Sequence, residues 1–559
     1  MLMVMTLIVM SLLGARLVEL QAVTADGTAT LAESQRMRTS VDLAQRGRIL
    51  DANGAVLATS VIARNITVDQ TLVKDAAAEA EALAPILGAD PLELERKLAG
   101  TKRFAYVARG VTPAVWEQIS ALALPGILSE STTKRVYPSG SLAANVVGFV
   151  GRDGRGLGGL EYGQQDLLAG KNGEMTYEVA GGGRRIPTGQ EEGVNAVAGS
   201  DVTLTIDRDI QFEAQSAIAQ RVREAKADGG TVVVMDPRTG RILALASAPT
   251  FDPNSPGSSD PADRNNRALT EAFEPGSTAK IMTMAAVLER HVATPTTRLT
   301  VPPTIKVADK LFHDAEDHPT EKLTLTGVLA KSSNIGTILV AQKLTPDVLY
   351  GYLKRFGIGE RTGMGFPGEA RGFLPVPSSW SGTSLPTIAF GQGLSVTSVQ
   401  AASVFATIAN DGVRVTPSLI ASTTDSDGTV HQSAAPATRR VISPSTASQL
   451  RTMMEAVVSE GGTAAGVRIP GYRVAGKTAT AQRYEPSCKC YKGYVASFIG
   501  MAPADAPQLV VAVSLINPRN GHFGGAEAGP VFKDVMSFAL QAQRIPPTGT
   551  RSPVTKLTW

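Results

Sequence analysis

The chain has 559 residues, with 54 Lys and Arg against 51 Asp and Glu, so its net charge is only +3. That balance lacks the basic excess by which a nucleic-acid-binding chain neutralises phosphates, and no nucleic-acid partner is expected. A single core stops growing near roughly 250–300 residues, so a chain of this length should hold more than one domain.

The amino terminus, Met1 to Ala15, is apolar but shorter than the ~20 residues that cross a bilayer. It also lacks the Lys or Arg that marks the cytoplasmic side of an inner-membrane anchor. Residues 1–23 therefore read as an anchor truncated at its start, or as a cleaved signal peptide with small residues at Ala22 and Ala25. Either reading exports the rest of the chain. Over 24–196, alternating runs such as Arg64-Asn65-Ile66-Thr67-Val68-Asp69 mix with a helical pattern near 76–87. This region holds no constellation of acid, base and nucleophile and reads as a non-catalytic pedestal. Its Gly-rich exit, from Gly181-Gly182-Gly183 to Gly193, reads as a linker. The glycines of 154–163 follow no strand–helix pattern able to cradle a phosphate, and are expected to form turns.

A second domain, 197–545, opens with a strand at Val202–Asp207. An amphipathic helix follows to about Asp228, its apolar residues at Ile210, Ala214, Ala217, Ile218 and Val222. Thr231–Met235 and Ile242–Ala246 flank the turn signal Asp236-Pro237-Arg238-Thr239-Gly240 and predict a hairpin. Runs at Lys477, Val495–Gly500 and Leu509–Ser514 bring the strands to five, with a helical middle between the halves. His313-Asp314-Ala315-Glu316-Asp317-His318 crowds imidazoles and carboxylates together, but the spacing does not put both His on one helix face and Pro319 follows. It reads as a solvated loop; no metal and no cofactor is expected. The two cysteines, Cys488 and Cys490, can pair outside the cytoplasm or remain thiols, and two ligands do not complete a zinc site. Residues 546–559, rich in Pro and Thr, read as a mobile tail.

The most informative stretch is Phe273-Glu274-Pro275-Gly276-Ser277-Thr278-Ala279-Lys280. Residues at i and i+3 share one helix face, so the Lys280 amine can reach the Ser277 hydroxyl, and exposed first-turn N–H groups add positive potential there. A Ser-x-x-Lys alone is cheap, since some serines will find such a lysine by chance and merely start a helix. Here Ser332-Ser333-Asn334 and then Lys477-Thr478-Ala479-Thr480 follow in order. The ordered set resembles that of the penicillin-binding, active-site-serine transpeptidases: Ser-x-x-Lys, Ser-x-Asn, Lys-Thr-Gly. Arg46-Gly47-Arg48-Ile49-Leu50-Asp51 and Gly156-Leu157-Gly158-Gly159-Leu160-Glu161-Tyr162 resemble signatures of the class B, monofunctional branch. Ala389-Phe390-Gly391-Gln392-Gly393 and Ala409-Asn410-Asp411-Gly412 match further stretches of its catalytic domain.

The resemblance implies an α+β fold, with a five-stranded antiparallel sheet, helices on both faces and a helical subdomain, beside an elongated pedestal of the dimerisation type. It implies a D,D-transpeptidase acting through a Ser277 acyl-enzyme, with Lys280 as base and Ser332 as relay to the leaving amine. Asn334 would orient Lys280 and the substrate. Lys477, Thr478 and Thr480 would bind the terminal carboxylate of a D-Ala-D-Ala stem peptide, and the Ser277 and Thr480 N–H groups would form the oxyanion hole. β-Lactams should acylate the same serine. Arg16–Gln21 and Ile516-Asn517-Pro518 resemble the septal type, implying a SEDS-family glycosyltransferase and other division proteins as partners at the bacterial cytoplasmic membrane. A D-Ala-D-Ala carboxypeptidase, a β-lactamase and a non-catalytic β-lactam sensor or divisome scaffold are the competing readings. The sequence departs from the family at Ala479, where Gly is usual; its methyl is expected to crowd the substrate, so Ala479→Gly should speed acylation.

Overall fold

A computed structural model describes residues 1–23, 36–180, 185–485, 488 and 490–559. The glycines 181–183 of the expected linker lie outside the described residues, as do Pro486, Ser487 and Lys489; Gly193, the linker's expected far end, belongs to the strand Glu191–Val194. Helix α1, Leu2–Val18, continues into an apolar span reaching Gln21, 20 residues with a mean hydropathy of 1.9. Arg16 and Glu19, within that span, pair at 2.7 Å. The span is long enough to cross a membrane once.

The chain divides into two compact units that alternate along the sequence. The first comprises 1–47, 60–134 and 166–200. Its core gathers Ile66, Leu83, Leu94, Leu98, Val107 and Ile119, all nearly or fully inaccessible, from one strand pair and the helices Ala76–Leu87, Pro91–Leu98 and Pro113–Ala121. Each of these helices starts on a capping side chain: Asp75, Asp90 and Thr112 accept first-turn N–H groups, which satisfies donors the helix itself cannot.

The second unit comprises 48–59, 135–165 and 201–559. Its glycines at 154–163 do more than turn the chain: Gly159–Gly163 is a short helix that buries Glu161. Glu161 meets the equally buried Arg135 at 2.7 Å and takes the Tyr137 hydroxyl. Helix α2 (Arg208–Glu224) starts on Asp207, whose carboxylate accepts the Asp209 and Ile210 N–H groups. The strand before it, Asp201–Leu204, pairs with Ile420–Thr424 and Ile49–Leu50 and so belongs to a different sheet from the five strands read together.

Those five strands form one antiparallel sheet: β1 (Gly229–Met235), β2 (Ile242–Ala248), β3 (Ala475–Glu485), β4 (Cys490–Ala502) and β5 (Leu509–Ile516), in the order β2-β1-β5-β4-β3. Strand β1 is buried throughout, because helices cover both faces. Its neighbouring residues show this: a Cβ at Gly230 would meet Ile218 of α2, whereas the Thr231 hydroxyl bonds that of Ser398 at 2.8 Å. Successive strand residues point to opposite faces. Ser398 opens α6 (Ser398–Ala409) on the second face, and α7 (Gly524–Ala542) packs on the first, with Phe532 edge-on to Phe498 at 4.7 Å. Between β2 and β3 lie α3 (Lys280–Glu289), α4 (Leu325–Ala330) and α5 (Asn334–Ala341).

The tail differs from expectation. Its prolines stop it from forming a helix, yet Thr324 donates its hydroxyl to the Lys556 carbonyl at 2.7 Å and its N–H to that of Leu557 at 2.9 Å. The Trp559 indole N–H reaches the Leu299 carbonyl at 3.3 Å, with Arg298 and Lys322 against its ring. Thr324 also caps α4, so the tail bears on the helix that leads to Ser332.

Candidate active site

The nucleophile motif sits on a tight turn. Gly276–Ala279 is a 3₁₀ turn running into α3, so Ser277 and Lys280 are separated by one turn of three residues, in which i and i+3 eclipse. Gly276 makes the entry possible: its φ is +52°, and a Cβ there would stand 3.0 Å from that of Ala481 on β3. Its N–H donates to the Gly391 carbonyl at 3.0 Å, and the Thr278 hydroxyl to that of Pro275 at 2.7 Å. Ser277 is half-buried.

Three sequence-distant residues meet at one hydroxyl. Lys280 Nζ donates to the Ser332 carbonyl and lies 3.3 Å from Ser332 Oγ; Lys477 Nζ donates to the same Oγ at 2.8 Å and to the Thr478 carbonyl at 3.1 Å. Ser332 reaches both lysines from the left-handed region, φ +62°, a conformation a non-glycine residue adopts at a cost of about 1 kcal/mol or more. Both lysines have 0% exposure. Burial pushes the Lys280 amine down to about 7, against an opposing pull from Asp314. Burial also pushes Lys477 well down, with the Lys280 charge acting in the same direction. Burial comes first for both lysines, and among the described residues no carboxylate contacts either amine.

Strand β3 lies at the sheet's edge and alternates cleanly across the motif. Lys477 and Ala481 face the nucleophile turn; Thr478 and Thr480 face the other way, where Thr478 Oγ1 bonds that of Thr463 at 2.8 Å and Thr480 Oγ1 accepts the Gly524 N–H at 3.2 Å. Ala479 falls on the Lys477 face by period and is 2% exposed. Its methyl meets protein, so the crowding expected from sequence has no surface on which to act.

Asn334 is placed at the start of α5 and its side-chain amide donates to the His313 carbonyl at 3.2 Å; it makes no bond to Lys280. The loop expected to be merely solvated explains this. Asp314 turns inward and accepts the Ser333 hydroxyl at 2.7 Å, the Ile335 N–H at 3.0 Å and the Asn334 N–H, with His318 Nε2 at 3.0 Å on the same carboxylate. An anion at a helix start satisfies its free N–H groups and complements its dipole. Such a residue normally sits within three positions of the helix; Asp314 lies far upstream of Ser333, so no local pattern could reveal it.

The penicillin binding protein transpeptidase domain family matches residues 230–537, and the penicillin-binding protein dimerisation domain family matches 41–204. The chain belongs to the class B penicillin-binding proteins. It is 38% identical to the penicillin-binding protein PbpB of Mycolicibacterium smegmatis, over 97% of this chain and 89% of that one. It is 33% identical to the peptidoglycan D,D-transpeptidase FtsI of Escherichia coli K12, over 97% and 91%. The crystal structure of penicillin-binding protein 3 from Mycobacterium tuberculosis complexed with ampicillin matches with a TM-score of 0.74 at 34% identity, covering 93% of this chain and all of that one. The five-stranded sheet with helices on both faces, expected from the motifs, is this class B protein's catalytic architecture.

Proposed function

We propose that this class B protein is a septal peptidoglycan D,D-transpeptidase that is also acylated by β-lactams. The observation that carries the reading is the convergence of two fully buried lysines on the Ser332 hydroxyl, one short turn from Ser277. Serine attack on an amide requires removal of the hydroxyl proton as the bond forms. An amine with its pKa near 7 is part neutral at neutral pH and able to take that proton. In this reading Ser277 attacks the penultimate D-Ala carbonyl, Lys280 accepts its proton, and Ser332 passes a proton to the departing D-Ala amine. The acceptor amine of a neighbouring stem then takes the acyl group. The substrate carboxylate, arriving at the β3 edge, would hold the proton on Lys477 that burial alone disfavours, with the Thr478 and Thr480 hydroxyls on the strand's other face. The Ser277 and Thr480 N–H groups would receive the oxyanion, each donor contributing about 3 kcal/mol. Asn334, fixed by Asp314 and His313, would present its amide to the substrate.

The reading extends to place and partners. A single apolar span at the amino terminus and the likeness to FtsI support attachment to the bacterial cytoplasmic membrane with the chain after that span outside, residues 24–196 acting as pedestal, and a SEDS-family glycosyltransferase and other division proteins as partners. Intact-protein mass spectrometry after benzylpenicillin tests the chemistry: one penicilloyl adduct on the native chain, none on Ser277→Ala, and turnover of a D-Ala-D-Ala thioester. A native chain that stays unmodified refutes it.

A further inference from the structure

His318 lies in the loop that leaves the strand Lys310–His313 and enters the strand Glu321–Thr324. That loop and the strand after it bear on both helices that flank Ser332: Asp314 sits at the start of α5, and Thr324 caps α4. The hydrogen bonds at Asp314 run in one direction. The Gly336 N–H donates to Ser333 Oγ at 2.8 Å, so the Ser333 hydroxyl directs its own proton to Asp314 Oδ2, at 2.7 Å. Asp314 Oδ1 takes the Asn334 and Ile335 N–H groups. Among the described residues each of these partners is a donor, which fixes Asp314 as a carboxylate.

That assignment decides the state of the imidazole. His318 Nε2 lies 3.0 Å from Asp314 Oδ2, and Nδ1 lies 2.7 Å from the Pro319 carbonyl. Both partners can only accept, so both ring nitrogens carry hydrogen, and the ring is an imidazolium. The His318 side chain is 14% exposed and that of Asp314 10%, so salt and water screen the pair little. Burial pushes the ring's pKa down, but the Pro319 carbonyl and the Asp314 carboxylate outweigh it and hold the value above the ordinary 6.5, with Glu321 pulling the same way. Glu321 is itself paired with Lys331, the residue that ends α4. His313, Glu316 and Asp317, the other titratable groups of this stretch, are exposed.

We infer that His318 is a positioning residue for acylation of Ser277, an imidazolium that holds Asp314 on the first turn of α5 and offsets part of the negative charge that Lys280 feels. One ring has two effects. As a donor it fixes the carboxylate that anchors Ser333 and Asn334, the residues following Ser332. As a cation it opposes the pull by which Asp314 keeps a proton on Lys280, so more of that amine is neutral and able to act as a base near pH 7. The inference rests on the acyl-enzyme reading of Ser277 with Lys280 as its base.

The test uses the full chain and benzylpenicillin, with the acylation rate followed across pH and each profile read for its maximal rate and its midpoint. His318→Gln keeps an amide donor near the place of Nε2 and removes the charge. Its midpoint should rise by about half a pH unit, lowering the rate at pH 6 about three-fold, while its maximal rate stays within about two-fold of the native value. His318→Leu removes the donor as well, so its midpoint should rise equally and its maximal rate fall about five-fold, the contribution of one hydrogen bond. In Asp314→Asn the ring has no carboxylate to hold its proton, and adding His318→Gln should move the midpoint less than half as far. The inference is overturned by an unmoved midpoint in His318→Gln, by an equal shift with and without Asp314, or by equal maximal rates in the Gln and Leu variants. Failure of the underlying reading looks different: the native chain forms no adduct at any pH, or its own profile is flat, which removes both.

Discussion

Lys280 should make the protein least stable at acid pH, where its amine is charged and cannot act as a base. A lysine whose folded pKa is depressed binds fewer protons folded than unfolded. The native state therefore carries the full cost below the folded value and is relieved of it as pH rises toward the unfolded value. For Lys280 the window runs from about 7 to the ordinary 10.5. That difference corresponds to roughly 5 kcal/mol of destabilisation at pH 6. Lys280→Met keeps nearly the same volume without the charge, but leaves the Ser332 carbonyl without its donor, a loss of about 1–3 kcal/mol. The variant should therefore be more stable than the native chain by about 2–4 kcal/mol at pH 6, and equal or less stable at pH 10.5. Urea unfolding of both proteins across that range measures the gap, and penicilloyl labelling should find the variant inert. A variant weaker at pH 6, or a gap that does not change with pH, would refute the claim that burial alone sets the amine near neutrality.

Four other outcomes follow from the same geometry. Acylation of the native chain should rise about tenfold per pH unit below 7 and level off above it; a flat rate from pH 5.5 to 8 would remove Lys280 as the base. Asp314→Asn deletes the carboxylate that pulls Lys280 upward, so the midpoint of that profile should move to lower pH while the maximal rate falls several-fold through loss of the anion at the start of α5. An unmoved midpoint would show that Asp314 only braces the helix. Ala479→Gly should change the acylation rate by less than about two-fold and cost about 1 kcal/mol in stability, since its methyl is buried against protein; a large acceleration would reinstate the steric effect expected from sequence. Deleting 556–559 should lower unfolding free energy by about 1–3 kcal/mol, because the Thr324 hydroxyl and N–H lose their acceptors.

What could be read beforehand and what could not follow a physical division. Strands β1, β2, β4 and β5 announce themselves because each is apolar along its length and bounded by turn residues, and α2 shows its period at Ile210, Ala214, Ile218 and Val222, all buried. Ser277, Lys280, Ser332 and Lys477 are legible as ordered motifs. Their convergence on one hydroxyl depends on distances that no spacing encodes. Asp314 was hidden because its partners at Ser333, Asn334 and Ile335 belong to a helix that begins well after it. The tail was misread because Pro and Thr exclude a helix without excluding backbone hydrogen bonds to another strand. Glu274 lay in plain view within the nucleophile motif, but its contact with the Tyr491 hydroxyl joins residues more than two hundred positions apart.

Burying two lysines and holding Ser332 at positive φ are all unfavourable choices, and they occur within one hydrogen-bonded cluster. None of the three is needed for packing: a leucine would fill either lysine's space more cheaply, and a glycine would take the Ser332 conformation without strain. The cluster persists because its supports are rigid. Lys280 begins α3, buried along nearly its whole length, and Lys477 lies in a strand hydrogen-bonded to the buried β4. Ser332 stands between α4, pinned through Thr324, and α5, pinned by Asp314. A looser scaffold would relax by letting the amines reach water, and their pKa values would return toward 10.5. Weakening any one support should therefore show first as an acylation profile displaced to higher pH, before the fold itself fails. The exception is Asp314, whose own charge acts on Lys280 in the opposite direction, and that contrast separates a mechanical support from an electrostatic one.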